Sequence, residues 1–135
     1  DEIKKVLPSK NINITDRIPR SEALKYGQKS HVLYYIGWKG YKGIYSGKIF
    51  EYLAHKRNIL IAPGDEDVLD ELLNKTNTGK SASTIKEMVS ILEKWFKEWQ
   101  TKKQLEYHGL ESEIQKFTRE NQFKKLTKLI EALEK

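Results

Sequence analysis

The apolar positions of this chain change period near its middle. Val32, Leu33, Tyr34, Tyr35 and Ile36 form a β-branched and aromatic run, Gly37, Gly40 and Gly43 interrupt it, and Ile44 and Tyr45 resume it. That texture predicts a β-hairpin whose turn lies within Gly37 to Gly43, with Trp38, Lys39, Tyr41 and Lys42 at its tip. Upstream, Ile12 and Ile14 alternate within Asn11 to Thr15 as in a short edge strand, and Ser21 to Tyr26 offers one or two helical turns before Gly27. Downstream, Ile49, Phe50 and Leu53 take helical spacing from Ser46 or Gly47. His55, Lys56 and Arg57 fall in the last turn, where cations suit the helix dipole. Ile59 to Ile61 predicts a brief strand, and Ala62, Pro63 and Gly64 punctuate the boundary between halves.

The second half reads as helical throughout. Asp65, Glu66 and Asp67 put negative charge at the start of a helix carrying Val68, Leu69, Leu72 and Leu73, and Asn74 to Gly79 breaks it. Ile85, Met88, Val89, Leu92, Trp95, Phe96 and Trp99 then step by three and four along one broad face. Glu93 with Lys97 and Glu98 with Lys102 add supporting pairs elsewhere on that helix, which Gly109 is expected to end or kink. Leu110, Ile114 and Phe117 continue the pattern, and Phe123, Leu126, Leu129, Ile130 and Leu133 form a last amphipathic helix.

These elements predict an α+β fold: a small N-terminal β-hairpin layer packed on a C-terminal bundle of three to four helices. Residues 1–62 form a basic hairpin-plus-helix region and residues 63–135 a helical region with a helix-turn-helix-like segment, the two making one compact unit. Trp95, Phe96 and Trp99 are expected at the centre of the core, with Leu69, Leu72, Leu92, Phe117, Leu126 and Ile130 around them.

Composition narrows the function classes. A chain of 135 residues is one ordinary domain, or two very small ones sharing a core. Without cysteine there is no disulfide, thiolate nucleophile or cysteine zinc site. No stretch approaches the roughly 20 apolar residues of a membrane span, and charged Asp1 to Lys5 begin no secretory signal. The Lys-rich, cysteine-free composition suits a cytoplasmic protein. Net charge is +6, and it is unevenly placed. Residues 1–58 hold 12 Lys and Arg against 5 Asp and Glu, whereas residues 59–135 hold 13 against 14. The N-terminal surplus would attract phosphate polymers or an anionic membrane surface.

The candidate chemistry is therefore binding. From Thr76 to Trp99 a turn of Asn77, Thr78 and Gly79 leads into a helix starting near Ser83, as a helix-turn-helix presents its second helix to a DNA groove. Lys80, Ser81, Ser83, Thr84 and Lys86 would face phosphates and base edges there, aided by free amides at the helix start. Lys39, Lys42, Lys48, Lys56 and Arg57 would neutralise further phosphates. Trp38 and Tyr41 are stacking candidates interleaved with the tip lysines.

Ser81 to Lys86, followed by Ile91, Leu92 and the Trp95, Phe96, Trp99 run, resembles the core-binding region of tyrosine recombinases such as phage integrases. There a small-polar-Thr-Ile start opens a helix ending in an aromatic cluster. The segment from Val32 to Leu53 looks like the sheet-plus-helix modules that bind arm-type DNA sites ahead of that region. The resemblance spans roughly residues 30–105 and carries no recombinase tyrosine or arginine set. It implies a DNA-binding portion without the chemistry.

No other motif assigns a reaction. Asn74 to Ser81 ends like a P-loop, but Asn74 stands where the first glycine belongs and a helix precedes it. The Tyr-Ile-Gly and Gly-Ile-Tyr tripeptides at 35–37 and 43–45 come in the reverse of the nuclease order. His31, His55 and His108 match no metal spacing. No catalytic residue, metal site or cofactor is expected, and the expected partner is double-stranded DNA. The alternative is a protein-interaction or assembly module whose amphipathic Phe123 to Leu133 helix pairs with a partner or, as a homodimer through residues 121–134, with a second copy; binding to an anionic membrane surface is a third alternative.

Overall fold

The computed structural model describes residues 9–133, and within them the strands lie parallel. After a single 3-10 turn at Ser9–Asn11, the chain forms α1 (Arg20–Lys29), β1 (Val32–Tyr35), α2 (Gly47–Ala54), β2 (Asn58–Ile61) and α3 (Val68–Thr76). It continues through β3 (Gly79–Ser81), α4 (Ile85–Lys102), α5 (Glu111–Gln115) and α6 (Arg119–Leu133). The sheet order is β1-β2-β3, with Leu33 opposite Ile59 and Leu60 opposite Lys80. Two strand-helix-strand crossovers, through α2 and α3, build it.

Burial explains the order. All four residues of β2 are buried, as a strand must be when neighbours flank it and both faces are covered. In β1 Leu33 and Tyr35 point inward and Tyr34 outward, while the short β3 is only half-covered at its edge. Leu33, Tyr35, Ile59 and Ile61 pack with Ile49 and Leu53 of α2, with Leu69, Leu72 and Leu73 of α3, and with Ile114 of α5. The helix starts are fixed locally. The buried Asp65 carboxylate accepts hydrogen bonds from the amides of Asp67, Leu69 and Asp70, supplying the charge that α3 needs at its amino end. Thr84 caps α4 by accepting from the Glu87 amide, and Glu87 accepts in turn from the Ser83 amide.

The turn from α3 into β3 is equally determined. Asn77 takes the left-handed conformation, which asparagine tolerates, and the fully buried Thr76 and Thr78 share a hydroxyl hydrogen bond of 2.8 Å. Asn77 also donates to the His108 carbonyl and Asn58 to that of Glu106, pinning residues 106–108 beside the sheet.

The structure keeps the mixed α and β content but corrects the layout. Among the described residues there is no hairpin: β1 pairs with β2 in parallel, and Gly37 to Gly43 lie in the connection from β1 to α2. A glycine-broken apolar run fits either topology. What decides here is the continuous burial of Ile59 to Ile61, which makes that segment the central strand. The segment between α3 and α4 holds a strand, β3, so it is not the bare turn of a helix-turn-helix. Ile12 to Ile14 forms no strand, α1 runs ten residues, and α4 ends at Lys103, which has a φ of 57°, rather than at Gly109.

The core is also displaced from where the sequence puts it. Leu69 and Leu72 are buried and Phe117 packs against the core, but Phe96 is 56% exposed, and Leu92, Leu126 and Ile130 are exposed too. Trp95 and Trp99 are only half-buried. The sheet supplies a denser apolar surface than a helical bundle would, and α2 and α3 already cover it. The apolar stripes of α4 and α6 consequently have no buried residue.

Candidate functional site

Parallel strands end on the same side, so the chain reaches one edge of the sheet three times. The β1 exit is Ile36 to Ser46, the β2 exit Ala62 to Asp67, and the β3 exit Ala82 to Thr84. The connecting helices begin at this same edge, so their amino termini, which favour anions, lie along it.

Backbone bonds knit the exits together: Ala62 donates to the Tyr35 carbonyl, Ala82 to that of Ile61, and Gly64 to that of Ala82. The crowding is against backbone at Gly37, which requires glycine there, and against side chains at Gly64. A Cβ on Gly37 would meet the Pro63 carbonyl, and one on Gly64 would meet Ser81 Oγ and lie 3.0 Å from both carboxylate oxygens of Asp70. Ser81 Oγ and Asp70 Oδ1 are each buried without a hydrogen-bond partner, while Asp70 Oδ2 accepts from the Glu66 amide at 3.3 Å. Two unsatisfied polar groups facing one glycine are costly unless something else fills their bonds.

At the β1 exit of the same edge stands the amino end of α2. Ser46 occupies the cap position, yet its hydroxyl accepts from Tyr35 and makes no bond to the helix amides. Nothing lies within 4 Å of where a Gly47 Cβ would be, so the first turn opens outward. The preceding loop is held against α3, because the Gly43 amide donates to Asp67 and the Tyr45 hydroxyl to the Val68 carbonyl. Tyr45 is held above the ordinary tyrosine value, by burial first; Lys75 opposes the rise, and Glu71, Asp65 and Asp67 add to it. The hydroxyl therefore stays a neutral donor.

The structure divides the sequence-derived site residues. Trp38, Lys39, Tyr41, Lys42 and Lys48 lie in the β1 exit and the first turn of α2, and all five are exposed. Ser81, Ser83 and Thr84 belong to the same edge through the β3 exit, Lys86 follows in the first turn of α4, and Lys80 is exposed within β3. The Thr84 side chain and the Ser83 amide are engaged in capping α4. Lys56 and Arg57, between α2 and β2, stand at the opposite, amino edge. There they share a cavity of about 310 Å³ with Lys29, His31, Lys103 and Tyr107.

No family model, curated protein or solved structure matches this chain. Gly64 and Asp70 escaped the sequence reading. The available signal was the alternation of short apolar strands with helices, which implies parallel pairing and a shared exit edge. Among the described residues no group of three or more His, Asp or Glu is placed to hold a metal ion, and no helix is long and apolar enough to cross a membrane.

Proposed function

We propose that the carboxyl edge of the sheet binds a small ligand joining a phosphate to a hydroxyl-rich part, the chemistry of a nucleotide or a sugar phosphate. The observation that carries this reading is the pair of orphaned polar atoms, Ser81 Oγ and Asp70 Oδ1, meeting over Gly64 at the same sheet edge as the uncapped start of α2. The α2 amides and Lys48 suit a phosphate, the first by direction and the second by charge. Asp70 and Ser81, buried beneath Gly64, would meet ligand hydroxyls on displacement of that turn, the carboxylate accepting and the serine donating or accepting. These roles are binding roles, and no reaction is assigned to them.

Calorimetric titration with ADP, UDP and inorganic pyrophosphate tests the reading. Saturable binding of a nucleoside diphosphate is expected, weakened about tenfold by Lys48→Glu, as loss of a charge-assisted contact implies. Absence of saturable binding at millimolar ligand, or identical affinity for Lys48→Glu, contradicts it.

A second reading, non-catalytic DNA binding, is favoured by one observation: Lys56 and Arg57 share their cleft with Lys29 and Lys103. Its test is anisotropy at two salt concentrations, with affinity expected to fall steeply as salt rises and absence of binding at about 50 mM salt counting against it.

A further inference from the structure

We infer that the amino-edge cleft and the aromatic end of α4 together form a binding track for single-stranded nucleic acid. This rests on the second reading above and makes it specific, because it names the strand state and a surface remote from the carboxyl edge.

The cleft is strongly cationic. Lys29, Lys56, Arg57 and Lys103 line it, and among the described residues only Lys56 has a carboxylate partner, Glu111 at 2.9 Å. Arg57 is positioned by Nε and Nη2, which both donate to the Gln28 carbonyl at 2.8 and 2.6 Å. That bond ties the guanidinium to the end of α1 while leaving its charge unneutralised.

Charge alone would fit any anion; the aromatics narrow the choice. Trp99 stacks on Phe96 with ring centroids 6.0 Å apart and planes 17° from parallel. The Trp99 indole donates to His31 Nε2 at 3.2 Å, and Lys103 Nζ sits 5.1 Å from its ring centroid. His31 and Lys103 both line the cleft and both touch Trp99, so the Phe96–Trp99 pair adjoins it. More than half of Phe96 is exposed, which makes it a flat apolar surface adjoining a cationic channel. A single strand uses that combination, phosphates following the cations and an unpaired base stacking on the ring, whereas duplex bases are already stacked on one another.

Anisotropy titrations with labelled twelve-nucleotide dT and rU oligomers, the matching duplex as a second probe and unlabelled pyrophosphate as competitor test the inference. Expected are single-strand binding stronger than duplex binding, a tenfold or greater loss on Lys29→Glu with Lys103→Glu, and a loss of about tenfold on Phe96→Ala. Lys125→Glu with Lys128→Glu on α6 changes net charge equally and should leave affinity unaltered. Circular dichroism verifies that each variant is folded. Duplex binding equal to or tighter than single-strand binding overturns the inference while leaving the DNA reading standing, and no binding of either probe overturns both. Full affinity in Phe96→Ala, or complete competition by equimolar pyrophosphate, overturns the stacking track.

Discussion

Gly79→Ala is expected to cost about 3 kcal/mol and to detach β3 from the sheet, because forced overpacking against backbone has no inexpensive relief. Gly79 is the register partner of Ile59, and an added Cβ would meet the Ile59 carbonyl oxygen, with the carbonyl carbon at 2.7 Å and the amide nitrogen at 2.8 Å. No side chain can rotate away, so β2 and β3 must separate. Separation would also expose Thr76 and Thr78, whose hydroxyls satisfy each other in the interior. Such a loss is a large share of the roughly 5–15 kcal/mol that stabilises an ordinary domain. Urea unfolding monitored by circular dichroism measures it, and a loss below about 1 kcal/mol would show that the two strands are not paired in this register.

Leu72→Ala is expected to destabilise by about 2–5 kcal/mol, and Trp95→Ala by less, despite the larger volume removed in the second case. Leu72 has no exposed surface and packs in the cluster between α3 and the sheet, so truncation leaves a cavity there. Trp95 lies on a helix with no fully buried residue and outside the cluster that packs on the sheet, so its removal opens to solvent rather than leaving a closed cavity. Paired urea titrations decide the matter. A larger effect at Trp95 would restore the α4-centred core that the sequence suggests.

That contrast shows where the sequence was legible. The helical spacing of Ile49, Phe50 and Leu53 gave α2, Ile59 to Ile61 gave β2, and the acidic run at 65–67 marked the start of α3. In each case the signal is local: a period, a cap or a β-branched run. The stripe on α4 was legible as well, but a stripe says only that a face is apolar and nothing about what covers it. β3 was illegible because Gly79, Lys80 and Ser81 include no residue that favours strands; pairing with β2 alone makes them one. Parallel direction followed from no single segment, since Gly37 to Gly43 suits a hairpin turn as readily as a crossover.

The candidate site was hidden for the same reason. Gly64 and Asp70 lie close in the sequence, but Ser81 joins them only because β2 and β3 end side by side. Lys39, Lys42 and Lys48 stand out in the sequence by charge, and the fold brings them to that edge. Lys56 and Arg57 stand out on the same ground and lie at the other, because α2 crosses the sheet between Lys48 and Lys56.

The most direct test of the carboxyl-edge site is a residue-resolved NMR titration of the amide resonances with a nucleoside diphosphate. Saturable shifts concentrated at Gly47 and Lys48, Gly64 and Glu66, and Ser81 are expected. Shifts confined to Lys29, Arg57 and Lys103, or none at saturating ligand, would contradict the account.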